Sequence, residues 1–145
     1  MRKDHNEIIS KGGPFLEKEA DVITAYLYGS RAEGAARENS DIDIAILLDE
    51  KQTPQTPYGR DVNLARQLEK IFFPLKVDIR ILNHASPFFR FQVIKKGKVI
   101  HSKDENQRAD FEGTTRNKYF DLKPLYKLLF ADMDQRLSGG TYGNR

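Results

Sequence analysis

Three short stretches carry residues able to do chemistry together. The first is Leu27-Tyr28-Gly29-Ser30-Arg31-Ala32-Glu33-Gly34, in which a Gly-Ser pair ends an apolar run. Ten residues after Ser30 comes the second, Ser40-Asp41-Ile42-Asp43-Ile44-Ala45-Ile46-Leu47-Leu48. The third is Lys76-Val77-Asp78-Ile79-Arg80-Ile81-Leu82. Glycine at position 29 lets the backbone approach a ligand with no Cβ in the way. Ser30 suits a helix N-cap over a short helix from Arg31 towards Ala36, and a helix start offers N–H groups to phosphate. Asp41 and Asp43 are two residues apart, so in a strand both carboxylates leave from one face, with Ile42 and Ile44 on the other. Two carboxylates about 4 Å apart repel by roughly 4 kcal/mol at an effective dielectric of about 20. A divalent cation reverses that sign. Donor sets made only of oxygen favour Mg²⁺ or Mn²⁺ over zinc. If the Asp78 face meets the Asp41/Asp43 face, a two-metal site follows, suited to in-line displacement at phosphorus. Arg80 shares a face with Asp78. It can contact phosphate, pair with Asp78, or stand in solvent.

These residues need elements to hold them. Residues 22–28 and 42–48 read as strands, rich in β-branched and aromatic residues. Val77 to Leu82 alternates and reads as a third strand. Residues 59–73 place Val62, Leu64, Ala65, Leu68, Ile71 and Phe72 at helical spacing, with Pro74 ending the helix. Pro87 opens a helix through Lys96, with Lys95 and Lys96 in its last turn and Gly97 as C-cap. Lys98 to His101 makes a short strand at the sheet edge. The N-terminal segment reads as a helix interrupted at Gly12-Gly13-Pro14. Asp49 to Pro57 has no periodicity and reads as a surface loop, with a lid over the nucleotide as the sharper reading. Tyr58 beside it could stack on adenine.

From Glu105 to Leu137 the pattern is helical. Unbroken it would run about 50 Å, too long for this domain, so a break or kink at Pro124 is expected. Its second part carries an apolar stripe of Leu125, Leu128, Leu129, Met133 and Leu137. Packing on the sheet and a partner surface are both open readings. Residues 138–145 read as a disordered tail after a single domain spanning 1–137. His5, His84 and His101 are scattered surface or strand-end residues. Tyr28 is expected to pack locally.

Composition sets the outer bounds. A chain of 145 residues fits one domain with a real core. There is no cysteine, hence neither disulfides nor thiolate metal sites. With 24 basic and 21 acidic residues the net charge is +3, which gives no basic stripe for nucleic acid. No apolar run reaches the roughly 20 residues of a membrane span, and no signal sequence is visible. The reading is a cytoplasmic protein.

At Gly29-Ser30, Ser40-Asp41-Ile42-Asp43 and Val77-Asp78-Ile79 the sequence resembles the DNA polymerase β-like nucleotidyltransferases. Within them it is similar to the minimal nucleotidyltransferases that serve as antitoxins beside HEPN toxins. The similarity extends through Phe89–Ile100, Phe111-Glu112 and Tyr119–Leu125. The resemblance implies an α/β (α+β) fold: a small mixed sheet flanked by helices, with C-terminal helices. It implies Mg²⁺-dependent transfer of AMP from ATP to a tyrosine hydroxyl of a partner HEPN ribonuclease. Carried over by position, Gly29 and Ser30 bind phosphate, with Arg31 and Ser40 supporting the phosphates and the aspartate strand. Asp41 and Asp43 bind metal, and Asp78 is metal ligand or general base. Arg80 and the interrupted first helix depart from the family's pattern. The competing readings are nucleotidylation of a small molecule such as an aminoglycoside, and an antitoxin that acts by binding alone.

Overall fold

The computed structural model describes residues 4–55 and 58–138. Eight elements follow one another: α1 (His5–Glu17), β1 (Val22–Tyr28), β2 (Ile42–Leu48), α2 (Arg60–Ile71), β3 (Val77–Ile81), α3 (Pro87–Lys96), β4 (Lys98–Ser102) and α4 (Glu105–Ser138). The four strands form one mixed sheet in the order β3-β2-β1-β4. β1 runs antiparallel to β2 and β4, and β2 runs parallel to β3. The three strands expected around the motifs are present, and β4 lies at the edge.

Alternation along the strands sends side chains to two cores. On one face Leu27, Ile44, Ile46, Val77 and Ile79 pack with Ile8 and Leu16 of α1 and Leu64 and Leu68 of α2. On the other, Tyr26, Ala45 and Leu82 meet Val93, Phe89 and Phe111 from α3 and α4. Arg60 closes the first layer. Its Nε and Nη2 donate to the Asp21 carboxylate at 2.9 and 2.7 Å, tying the start of α2 to the turn before β1.

Three expectations are corrected, and one open reading narrows. First, α1 is continuous through Gly12-Gly13-Pro14. Asp4 caps it, accepting from the Glu7 N–H at 2.8 Å, and Ile8 and Leu16 are wholly buried. Ile8 before Pro14 and Leu16 after it both pack into the core, which outweighs the hydrogen bond that Pro14 removes.

Second, α4 runs unbroken for 34 residues with Pro124 inside it. Phe88 of α3 bridges the proline. Its ring contacts Tyr119 before it, and Tyr126 and Phe130 after it, at 6.4, 5.5 and 5.4 Å. The tail expected from residue 138 lies outside the described residues, apart from Ser138, which ends α4.

Third, residues 31–36 form turns and not a helix. Ala32 and Glu33 N–H donate to the Gly29 carbonyl, and Ala35 N–H to that of Ser30.

The loop after Asp49, read as a surface loop with a lid as the alternative, leaves β2 at the end away from Asp43, which speaks against the lid. It starts about 20 Å along the strand from Asp43. The Asp49 N–H is tied to the Asp21 carbonyl at 2.7 Å. Thr56 and Pro57 lie outside the described residues. Tyr58 stands with Arg66, whose guanidinium is 5.0 Å from its ring, near the start of α2.

Candidate active site

Strand register builds the site. Asp43 of β2 is paired with Tyr28 of β1 on one side and with Asp78 of β3 on the other. Tyr28, Asp43 and Asp78 thus form a row across three strands, on the face that carries α3 and α4. Ala45 and Arg80 are partners one pleat further along. The alternation that buries Val77 and Ile79 leaves Asp78 and Arg80 exposed.

Gly29 follows Tyr28 with φ +73°, and a Cβ at this position would overlap the Asp43 carboxylate. Glycine is therefore required twice, for the left-handed backbone and for the space. The Gly-Ser turn and the aspartate strand are in van der Waals contact before any ligand arrives. Ser30 is half-buried in that turn.

Burial and like charge govern the electrostatics. The Asp43 carboxyl is raised above its ordinary pKa of 3.8 by burial first, then by Asp78 and Asp41, with Arg80 opposing. Tyr28 is pushed up to about 12, by burial and then by Asp43 and Asp78. The Tyr28 ring packs edge-on against Phe89 at 5.5 Å, as its expected local packing requires. Arg80 lies over the same Phe89 ring, 5.5 Å from its centre, and its cation opposes the rise at Tyr28. Of the three roles open to Arg80, pairing with Asp78 does not occur. Its cation rests on the Phe89 ring and acts on Asp43 against the neighbouring carboxylates.

Arg31 and Ser40 take positions that sequence reasoning missed. Arg31 is only 2% exposed. Its Nε and Nη2 donate to the Ser40 carbonyl at 3.1 and 2.7 Å, and Nη2 also reaches the carbonyls of Arg37 and Glu38. The Ser40 hydroxyl accepts from the Arg37 N–H at 2.8 Å. Of the two supports expected of Arg31 and Ser40, for the phosphates and for the aspartate strand, these contacts serve the second. The guanidinium is taken up by backbone carbonyls and clamps the Gly-Ser turn to the loop that delivers Asp41. Both residues position the site.

Asp41 precedes β2 and is exposed. It lines a cleft of about 390 Å³ with Glu38, Phe73, Pro74 and Lys76. Phe73 is the most exposed of the large apolar side chains, at 79%. The one sequence signal for this cleft is an unpaired Phe-Pro after an otherwise complete helix. Among the described residues no three His, Asp, Glu or Cys side chains are gathered into a cluster that could hold a metal ion. Of the three carboxylates expected to converge, register pairs Asp43 with Asp78, and Asp41 and Asp78 both act on the Asp43 carboxyl. The donor set nevertheless suits a hard cation. A half-buried carboxyl opposed by two others is an arrangement that a divalent ion relieves.

The histidines lie elsewhere. His84 pairs with Glu50 at the surface at 2.9 Å, and His101 is in β4. No described helix is long and apolar enough to cross a membrane.

The chain is similar to known proteins in sequence and fold. Residues 11–106 match the family model described as polymerase beta, nucleotidyltransferase. A protein of Methanocaldococcus jannaschii named as a candidate protein adenylyltransferase is 38% identical over 73 residues, half of this chain and 70% of its own length. The protein adenylyltransferase MntA of Aphanizomenon flos-aquae is 28% identical over 117 residues, 77% of each chain. A crystal structure of a toxin-antitoxin with AMP-PNP superposes with a TM-score of 0.70 at 25% identity, covering 86% of this chain and 97% of that one. With two thirds of its length matched and the motif residues brought together on one sheet face, the chain belongs to the polymerase β nucleotidyltransferase family.

Proposed function

We propose that this nucleotidyltransferase moves AMP from ATP to a tyrosine hydroxyl of a cognate HEPN ribonuclease toxin, and acts in the cytoplasm as its antitoxin. The observation that carries the reading is the row of Asp78, Asp43 and Tyr28 against the Gly29-Ser30 turn. Two relatives named for protein adenylylation and a neighbour whose toxin-antitoxin structure holds an ATP analogue support the choice of donor and acceptor.

Asp41, Asp43 and Asp78 would hold Mg²⁺, as two ions. The metal, when bound, supplies charge neutralisation on the triphosphate and lowers the pKa of the acceptor hydroxyl. The chain does the rest. The Gly29-Ser30 turn receives the triphosphate tail. Arg31, through Ser40, keeps that turn in register with Asp41. Arg80 presents a fixed cation to the α-phosphate. Asp78, on the open strand, accepts the proton of the tyrosine hydroxyl. The tyrosyl oxygen bonds to the α-phosphorus, the bond to the β-phosphate's bridging oxygen breaks, and pyrophosphate leaves. Positioning and charge do most of this work.

The test is intact-mass spectrometry of the partner protein after incubation with the chain, ATP and Mg²⁺. A gain of one or more AMP units is expected, absent with the Asp41→Asn, Asp43→Asn variant. A stable complex with no mass gain would leave binding alone as the antitoxin's action. Transfer to an aminoglycoside but not to the protein would move the acceptor to small molecules.

A further inference from the structure

The distal half of α4 presents Leu125, Leu128, Leu129, Phe130, Met133 and Leu137 to solvent, each at least 45% exposed. Leu125, Leu129 and Met133 are four residues apart and fall on one stripe about 18 Å long to Leu137. A stripe of this kind on a small domain is a surface waiting to be covered.

The rings of α3 connect it to the site. Phe89 contacts both Tyr28 and Arg80, while the adjacent Phe88 contacts Tyr119, Tyr126 and Phe130 of α4. Phe91 stacks on Tyr119 at 3.9 Å and meets Phe120. The stripe, the rings and the carboxylate row therefore share one side of the sheet. The ring surface has a basic border, with Lys95 over Phe91 and Lys123 over Phe120.

We infer that the exposed half of α4, together with the α3 rings, is the seat of the acceptor protein, through an apolar patch bordered by acidic residues. This inference rests on the reading of the chain as a protein adenylyltransferase. Area argues against a second copy of the chain as the cover. A strip about 18 Å by about 10 Å buries a few hundred Å² on each copy, short of the roughly 1,200 Å² of a stable interface. A protein that also covers the ring surface and reaches the carboxylate row has room for the full area. It must reach that row to deliver its hydroxyl.

The experiment compares the full chain with Leu129→Asp, Met133→Asp, which changes two exposed side chains. The control is Tyr58→Asp, an equal change at the exposed ring near the start of α2. Partner affinity is measured by titration without ATP, nucleotide affinity with AMP-PNP, oligomeric state by light scattering, and transfer by steady-state kinetics. The double variant should weaken partner binding by about tenfold or more, with KM for the acceptor protein rising in step. Its kcat and AMP-PNP affinity should match wild type, and the control should bind the partner normally. Partner affinity within twofold of wild type would overturn the inference. So would a wild-type dimer that the double variant converts to monomer, which would show a second copy as the cover. Asp43→Asn separates the two readings: it should dock normally and transfer nothing. Transfer by that variant would sink the catalytic reading while leaving the docking result intact.

Discussion

Asp43 concentrates the conflict between the cation proposed for it and folding without one. Its carboxyl is raised by burial and by two neighbouring carboxylates, so the folded state holds its proton more tightly than the unfolded chain. In the window above the ordinary value of 3.8, the folded state binds more protons, and stability falls as pH rises. Asp43→Asn is expected to raise the urea midpoint of the metal-free chain at pH 7 and to flatten that pH slope, while transfer falls by more than about a hundredfold. An unchanged midpoint at both pH 5 and pH 7 would show that the carboxyl is not held against its charge. Arg80 is the second test at this scale. A guanidinium on the α-phosphate contributes about what a charged hydrogen bond does, so Arg80→Ala should slow transfer about 10- to 100-fold, with Arg80→Lys recovering part. A rate within twofold of wild type would reduce Arg80 to packing on Phe89. The aspartates and the Gly-Ser pair were legible in the sequence because their spacing is local. The burial of Arg31 was not, because its partners are backbone carbonyls of a loop whose path no residue type announces.

Elements were legible where alternation and apolar periodicity were strong, and illegible where a tertiary contact overrides a breaker. β1 and β2 begin and end at the expected residues. The two prolines read as breaks, Pro14 and Pro124, both lie inside continuous helices. In each case burial beyond the proline holds the next turn: the wholly buried Leu16 after Pro14, and Tyr126 and Phe130 packed on Phe88 after Pro124. Phe88→Ala should therefore release the end of α4 selectively. Amide exchange over residues 124–138 is expected to speed up, by about 1–2 kcal/mol of lost local stability, while the strands keep their protection. Uniform loss across the sheet would instead place Phe88 in the global core.

For the whole molecule, the long-range pairings decide the site, and these have no local signature. Three carboxylates could be counted from the sequence. That Tyr28, Asp43 and Asp78 stand in register depends on β2 lying between an antiparallel and a parallel neighbour. That arrangement also leaves β3 at the end of the sheet, with one hydrogen-bonded neighbour. Its sequence, Val77-Asp78-Ile79-Arg80-Ile81, is strongly β-forming except for its two charges. Unprotected edges of this composition invite strand addition from other molecules, and charged side chains are the usual guard. Asp78 and Arg80 are thus the charges that guard this edge, besides the roles proposed for them. Replacing both with alanine would strip the edge, and the resulting precipitation would be mistaken for a loss of catalysis; asparagine and glutamine keep the edge polar and let the two effects be told apart.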